Sequence, residues 1–307
     1  MQNKVAMIGA VGIDTNIYLY GREVDFSVEM NFSQNRDYIG QAGGYGAKLF
    51  CSLGYETKCI AAIGEDYHGK WIREEFTSSG IESLWISDPQ GTHRSINLMY
   101  PDGRRKNFYD AKGSMEIVPD EKACERFLAG VRLAHFSIEN WCRFLLPIAK
   151  RLGIIVSVDI QDVVDPQDPY RRDFVEAADI LFFSAANHPN PESLLRMYDN
   201  NGTRTVVCGM GSRGVMMSYQ GKVERFPAVE WFSPVVDTNG AGDALAVGFC
   251  HAHLLRGEDA ETAVWKAQLL AKHVCTLKAT TEGFLTANQL EEVFSQWNSS
   301  GRPVCKV

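Results

Sequence analysis

Asp237-Thr-Asn-Gly-Ala-Gly-Asp243, followed directly by Ala-Leu-Ala-Val-Gly-Phe249, sets two carboxylates six residues apart, with a glycine-rich turn between them and an apolar helix behind. A helix that begins among small residues presents unpaired backbone N–H groups and the positive end of its dipole. That end is a ready site for phosphate. A carboxylate at the same spot, Asp243, is not there to bind phosphate, because like charges repel. Its natural task is to take a proton from a nucleophile that attacks the phosphate. The stretch therefore points to phosphoryl transfer to a hydroxyl group.

Around it, short apolar strands alternate with helices. Residues 5–9, 58–63, 133–137, 154–159, 180–184 and 205–208 read as strands. Helices are expected at 46–53, 67–79, 141–152, 170–178 and 192–200, and over most of the last quarter, at 241–255, 260–277 and 287–297. This spacing predicts βαβ units and a mainly parallel sheet covered by helices on both faces. Two regions break the pattern. Residues 17–40 carry Phe26, Val28, Met30 and Phe32 in strict alternation, and residues 94–109 hold two alternating runs around Pro101-Asp-Gly. The second reads as a hairpin. Both are expected to form a small antiparallel lid inserted into one α/β domain spanning 1–307.

Composition narrows the classes. Thirty-eight acidic against 31 basic residues give a net charge of -7, which offers no footprint for nucleic acid or an anionic membrane. No apolar run approaches the ~20 residues of a membrane span, and the N-terminus reads as an immediate strand rather than a secretory signal. The eight cysteines include no Cys-x-x-Cys pair, so reduced thiols in a cytoplasmic protein are expected.

Three further motifs have chemical content. Gly43-Gly-Tyr-Gly-Ala-Lys48 is either a tight turn before a helix or a place where backbone approaches a ligand closely. Asp14, just beyond the first strand, is either an Asx-turn residue or an acceptor for sugar hydroxyls at the carboxyl end of the sheet. Gly209-Met-Gly211-Ser212-Arg-Gly214 has dinucleotide-motif spacing, but a hairpin follows it instead of a helix. It is therefore weak evidence for NAD, and reads as an ordinary loop or a loop against which a nucleotide lies.

Together these residues resemble the ribokinase-like (PfkB) family of sugar and nucleoside kinases. Residues 237–243 match the family's Asp-Thr-x-Gly-Ala-Gly-Asp signature completely. Gly43-Gly-x-Gly-Ala resembles its N-terminal signature, and Gly211-Ser-Arg-Gly214 its nucleotide loop; the pieces span about residues 4–295. The resemblance implies a doubly wound α/β fold with a β lid, and an ATP-dependent kinase acting on a sugar-like hydroxyl. It implies Asp243 as the base, and Gly240, Ala241 and Gly242 as the anion hole. It places Asp14, Gly43, Gly44 and Glu139 at the sugar, Asn187 and Gly209–Gly214 at ATP, and Asp237 beside a monovalent cation such as K+. Mg2+ is expected to arrive with the nucleotide, and a homodimer to form through the lid strands.

Two departures from the family stand out. Its first signature usually ends in Asn, where this chain has Lys48; that side chain either faces solvent or meets an anionic group of the substrate, with the second favoured. The family's Asn-x-x-Glu is here Asn187-His-Pro-Asn190, with Glu192 two positions late. The alternatives to a sugar kinase are a nucleoside kinase and a non-catalytic binding member of the fold.

Overall fold

The computed structural model describes residues 3–200, 204–232, 234–278 and 283–301. Its strands are β1 (Lys4–Ile8), β2 (Gly12–Leu19), β3 (Ser33–Gly40), β4 (Glu56–Ile63), β5 (Glu82–Ser87), β6 (Arg94–Met99), β7 (Arg105–Asp110), β8 (Leu133–Phe136), β9 (Ile155–Asp162), β10 (Ile180–Ser184), β11 (Thr205–Gly209), β12 (Val215–Tyr219) and β13 (Lys222–Phe226). The helices are α1 (Gln41–Ser52), α2 (Tyr67–Ser78), α3 (Glu121–Leu128), α4 (Leu146–Arg151), α5 (Arg172–Ala177), α6 (Glu192–Tyr198), α7 (Ala241–Phe249), α8 (Ala260–Val274) and α9 (Ala287–Ser299).

The main sheet has nine strands in the order β13-β12-β11-β10-β9-β8-β1-β4-β5. From β11 to β5 every pairing is parallel; β12 and β13 run antiparallel at one edge. The central strands are continuous apolar runs because both faces are covered. One core joins α1, α7, α8 and α9 to one face; a second joins α3 to α6 to the other. Strand order reverses at β1, which has β4 on one side and β8 on the other. A crevice outside the carboxyl ends of such strands is where ligands of this fold class bind.

A separate four-stranded sheet, β3-β2-β6-β7, forms the lid; it is mixed and not antiparallel throughout, because β2 and β6, from the two separate insertions, pair in parallel. It begins at Gly12, earlier than the sequence pattern indicated, so Asp14 lies in a lid strand and not in a connecting loop. The alternating residues 26–32 are not a strand. They form an exposed loop, with Phe26 94% and Phe32 77% accessible, because no neighbouring strand pairs with them. Edge strand β5 was missed; its residues are intermediate in burial and lack clean alternation. Helix α1 starts at Gln41, so Gly43 and Gly44 lie inside its first turn instead of before it. The Gly43 N–H bonds Ala10 O at 2.7 Å, which seats the helix against the end of β1.

The turn from β11 into β12 depends on Gly214, at φ 91°, where a Cβ would strike the Phe226 carbonyl oxygen. Gly214→Ala is expected to lower the unfolding free energy by about 1–3 kcal/mol. Urea denaturation measures it, and an unshifted midpoint would refute this steric account.

Candidate active site

Helix α7 enters the site through Gly240, whose φ of 75° is left-handed. A Cβ there would lie 2.8 Å from the Tyr45 ring, so only glycine permits this approach. The Ala244 N–H bonds Gly240 O at 2.8 Å and the Ala241 N–H turns back to Thr238 O at 3.3 Å. The N–H groups of Gly242 and Asp243 lie in the first turn, where a helix provides no internal partner. A Cβ on Gly242 would meet nothing within 4 Å, so this corner is open to a ligand.

Asp243 is partly buried. Burial pushes its carboxyl up to about 7, and the charge of Asp159, within β9, adds to the effect. Asp159 is itself raised by burial, with the Asp162 charge contributing. Asp14 is 4% exposed and is raised by burial to about 6, opposed by hydrogen bonds to its ionised form. Its Oδ2 accepts from the Gln41 N–H at 3.3 Å and lies 3.1 Å from the Tyr45 hydroxyl. The field of Arg105, on β7, reaches both Asp14 and Asp243 and favours their charged forms.

Glu139 follows β8 and closes the other side of the switch point. Its Oε2 accepts from the Ala10 N–H at 3.0 Å and the Ser137 hydroxyl at 2.6 Å. The Tyr109 hydroxyl of the lid lies 3.5 Å from its Oε1. Asp14, Tyr45 and Gly240 thus come together at one corner, while Glu139 joins the main sheet to the lid.

Asn187 and the Gly209–Gly214 turn cluster separately. The Ala185 N–H bonds Gly209 O at 2.9 Å, and Arg213 Nη1 bonds Pro189 O at 2.5 Å, so the 185–190 loop lies against the Gly209–Gly214 turn. Asn187 donates to Asp162 Oδ2 at 3.2 Å. Glu192 does not stand in for the absent glutamate, because it pairs with Arg196 one helical turn on, at 2.8 Å.

One expectation needs correction. Lys48 does not present its charge to a substrate: it is 7% exposed, and its Nζ lies 2.5 Å from Glu75 on α2. A buried ammonium needs such a partner, and α2 supplies it. Asp237 is engaged within the protein. Its Oδ2 accepts from Asn16 and from the Tyr18 hydroxyl, each at 2.7 Å, and its Oδ1 accepts from the Asn239 N–H at 2.8 Å. It ties the lid to the glycine turn. Among the described residues, no cluster of three or more His, Cys, Asp or Glu is arranged to hold a metal ion.

Sequence reading missed Asn16, Asn97, Arg105 and Asp159. Asp159 had a usable signal, since it ends a predicted central strand. The others signal only through register, which pairs Asn16 with Asn97 and Asn97 with Asn107.

A family model described as pfkB family carbohydrate kinase matches residues 2–287. The chain is 29% identical over 285 residues to the acarbose 7(IV)-phosphotransferase of Actinoplanes sp., covering 91% of this chain and 94% of that protein. It is 28% identical over 287 residues to a nucleoside kinase of Methanothermobacter thermautotrophicus, covering 85% and 86%. Among solved structures, a microbiome-derived acarbose kinase matches with a TM-score of 0.84 at 27% identity, over 96% of this chain and all of that one. The Thermotoga maritima ribokinase, at 18% identity and a TM-score of 0.76 over 95% and 99% of the two chains, shares the fold. With its signature turn, lid and sheet order in place, this chain belongs to the pfkB family of carbohydrate kinases, ATP-dependent phosphotransferases that act on an alcohol group.

Proposed function

We propose that the acceptor is a sugar or sugar-like polyol held between Asp14 and the inner face of the lid, and that Asp243 removes the proton from the hydroxyl that is phosphorylated. The observation that carries this reading is the pairing of Asp243 with the open first turn at Gly242. Asp14 has the charge and burial to accept hydroxyl hydrogen bonds. Its neighbours on the same lid face are Asn16, Ser95 and Asn97, all buried polar groups. That surface suits a polyhydroxylated ligand better than a flat nucleobase. The acarbose-directed relatives favour an oligosaccharide-like acceptor. The nucleoside kinase relative supports a second reading, with a nucleoside ribose in the same place.

When bound, MgATP supplies the phosphoryl group and a cation that offsets its charge. The residues fit it: Asn187 and the Gly209–Gly214 turn flank the end of the sheet, and the first turn of α7 offers N–H groups to the migrating oxygens. Asp162, which accepts from Asn187, would be the nearby carboxylate to help hold the magnesium that accompanies the nucleotide. A K+ ion beside Asp237 would share its carboxylate with the Asn16 and Tyr18 donors.

No described helix is long and apolar enough to cross a membrane, and the described cysteines are free, which supports a cytoplasmic enzyme. The outer lid face sets Ile96 beside Phe108, 40% and 54% exposed, and a second copy would cover them. Light scattering is expected to report a dimer that Phe108→Glu converts to monomer; a monomeric parent protein refutes this contact.

The deciding experiment is ADP release over a panel of sugars, oligosaccharides and nucleosides, with Asp243→Asn as control. At least one sugar should be turned over, and the variant should fall by ~10²–10⁴ while still binding ATP. A parent protein that binds but never turns over defeats the reading.

The raised carboxyl at Asp243 fixes the pH dependence. The base must be ionised, so kcat/KM is expected to rise with pH through about 7 and then level off. Folding carries the opposite sign. Between the ordinary carboxylate range and about 7 the unfolded chain loses this proton first, so stability falls as pH rises through that window. Asp243→Asn should therefore raise the melting temperature above pH 7 relative to the parent; equal melting curves would show that its ionised form costs nothing.

A further inference from the structure

Strand β7 carries Arg105, Asn107 and Tyr109 at alternate positions, which places them on one face. Tyr109 reaches Glu139, and Asn107 Nδ2 donates to Asn97 Oδ1 at 2.9 Å. Asn97 Nδ2 donates to Asn16 Oδ1 at 2.9 Å, and Asn16 Nδ2 donates to Asp237 Oδ2 at 2.7 Å. A ladder of three asparagines therefore crosses β7, β6 and β2 and ends in the glycine turn before α7. Arg105 stands one inward position from this ladder, and its Nη1 donates to Asn239 Oδ1 in the same turn.

The partner of Arg105 is informative. Arg104, its neighbour, is neutralised by Glu23 and Asp102. Arg105 makes no ion pair among the described residues and rests on a neutral amide oxygen. A guanidinium held by a neutral acceptor gives up that bond readily for a charged one, which is about twice as strong and can be bidentate. The nearest place where negative charge will collect is the first turn of α7, directly after Asn239.

We propose that Arg105 is a catalytic residue carried by the lid, whose guanidinium passes from Asn239 to the oxygens of the transferring γ-phosphoryl group. The inference rests on the kinase reading above. In the step, the acceptor O–H bond breaks and its proton goes to Asp243. The acceptor oxygen bonds phosphorus as the bond from phosphorus to the β,γ-bridging oxygen breaks, and that electron pair leaves with ADP. Arg105 stays protonated throughout and only offsets charge. The asparagine ladder and the Asn239 contact hold the strand bearing Arg105 over the turn that opens α7.

The test compares parent, Arg105→Ala and Arg105→Lys full-length proteins by kcat and KM for both substrates, with added guanidinium ion as a rescue arm. Arg105→Ala is expected to lose about 10²–10³-fold in kcat with little change in either KM, the scale for losing one donor to developing charge. Guanidinium ion should restore part of the loss, and Arg105→Lys should retain part of the rate. Arg105 is exposed, so melting temperatures should match and show that the variants fold. An unchanged kcat, or a loss confined to the acceptor KM, overturns the catalytic assignment in an active parent. A parent without turnover on any acceptor overturns the kinase reading, and this inference with it.

Discussion

Tyr45 holds the two halves of the active corner together. Its ring presses on Gly240 so closely that only glycine fits, and its hydroxyl lies 3.1 Å from Asp14. The same side chain thus sets the left-handed entry to α7 and the position of Asp14. Neither could shift without the other. Because α1 is itself anchored to Ala10 at the end of β1, the pair is referred to the centre of the main sheet.

Burial then sets the chemistry. Asp14 and Asp243 share a crevice with Asp159, and the desolvation each suffers raises its proton affinity. One of these groups can be a base near neutral pH because of that shared cost. Arg105 offsets part of it from the lid side. The lid is therefore an electrostatic element as well as a cover, and its tether through Asn16, Tyr18 and Asp237 determines where that positive charge sits.

The parts that were legible in the sequence are those with local requirements. The 237–243 stretch is a contiguous motif, with Gly240 at a left-handed φ of 75° that favours glycine, and the parallel strands announce themselves as short apolar runs. What stayed hidden depends on distant pairing. Asn16 and Asn97 meet because two lid strands run in register, not because of their neighbours in sequence. Lys48 was misread for a related reason: its partner Glu75 belongs to another helix, and nothing near Lys48 reveals it. The 26–32 alternation failed in the other direction, since a strand-like pattern without a partner strand stays a loop.

The order of the chain adds a constraint on biosynthesis. Strand β1 emerges first but waits for β8 to be made before its second edge is paired, and Asn16 meets its carboxylate partner Asp237 only across 221 residues. Contacts of such long range form late and slowly. A ribosome-bound fragment lacking the final quarter has no glycine turn for the lid to rest on, so this corner of the molecule assembles only when translation is nearly finished.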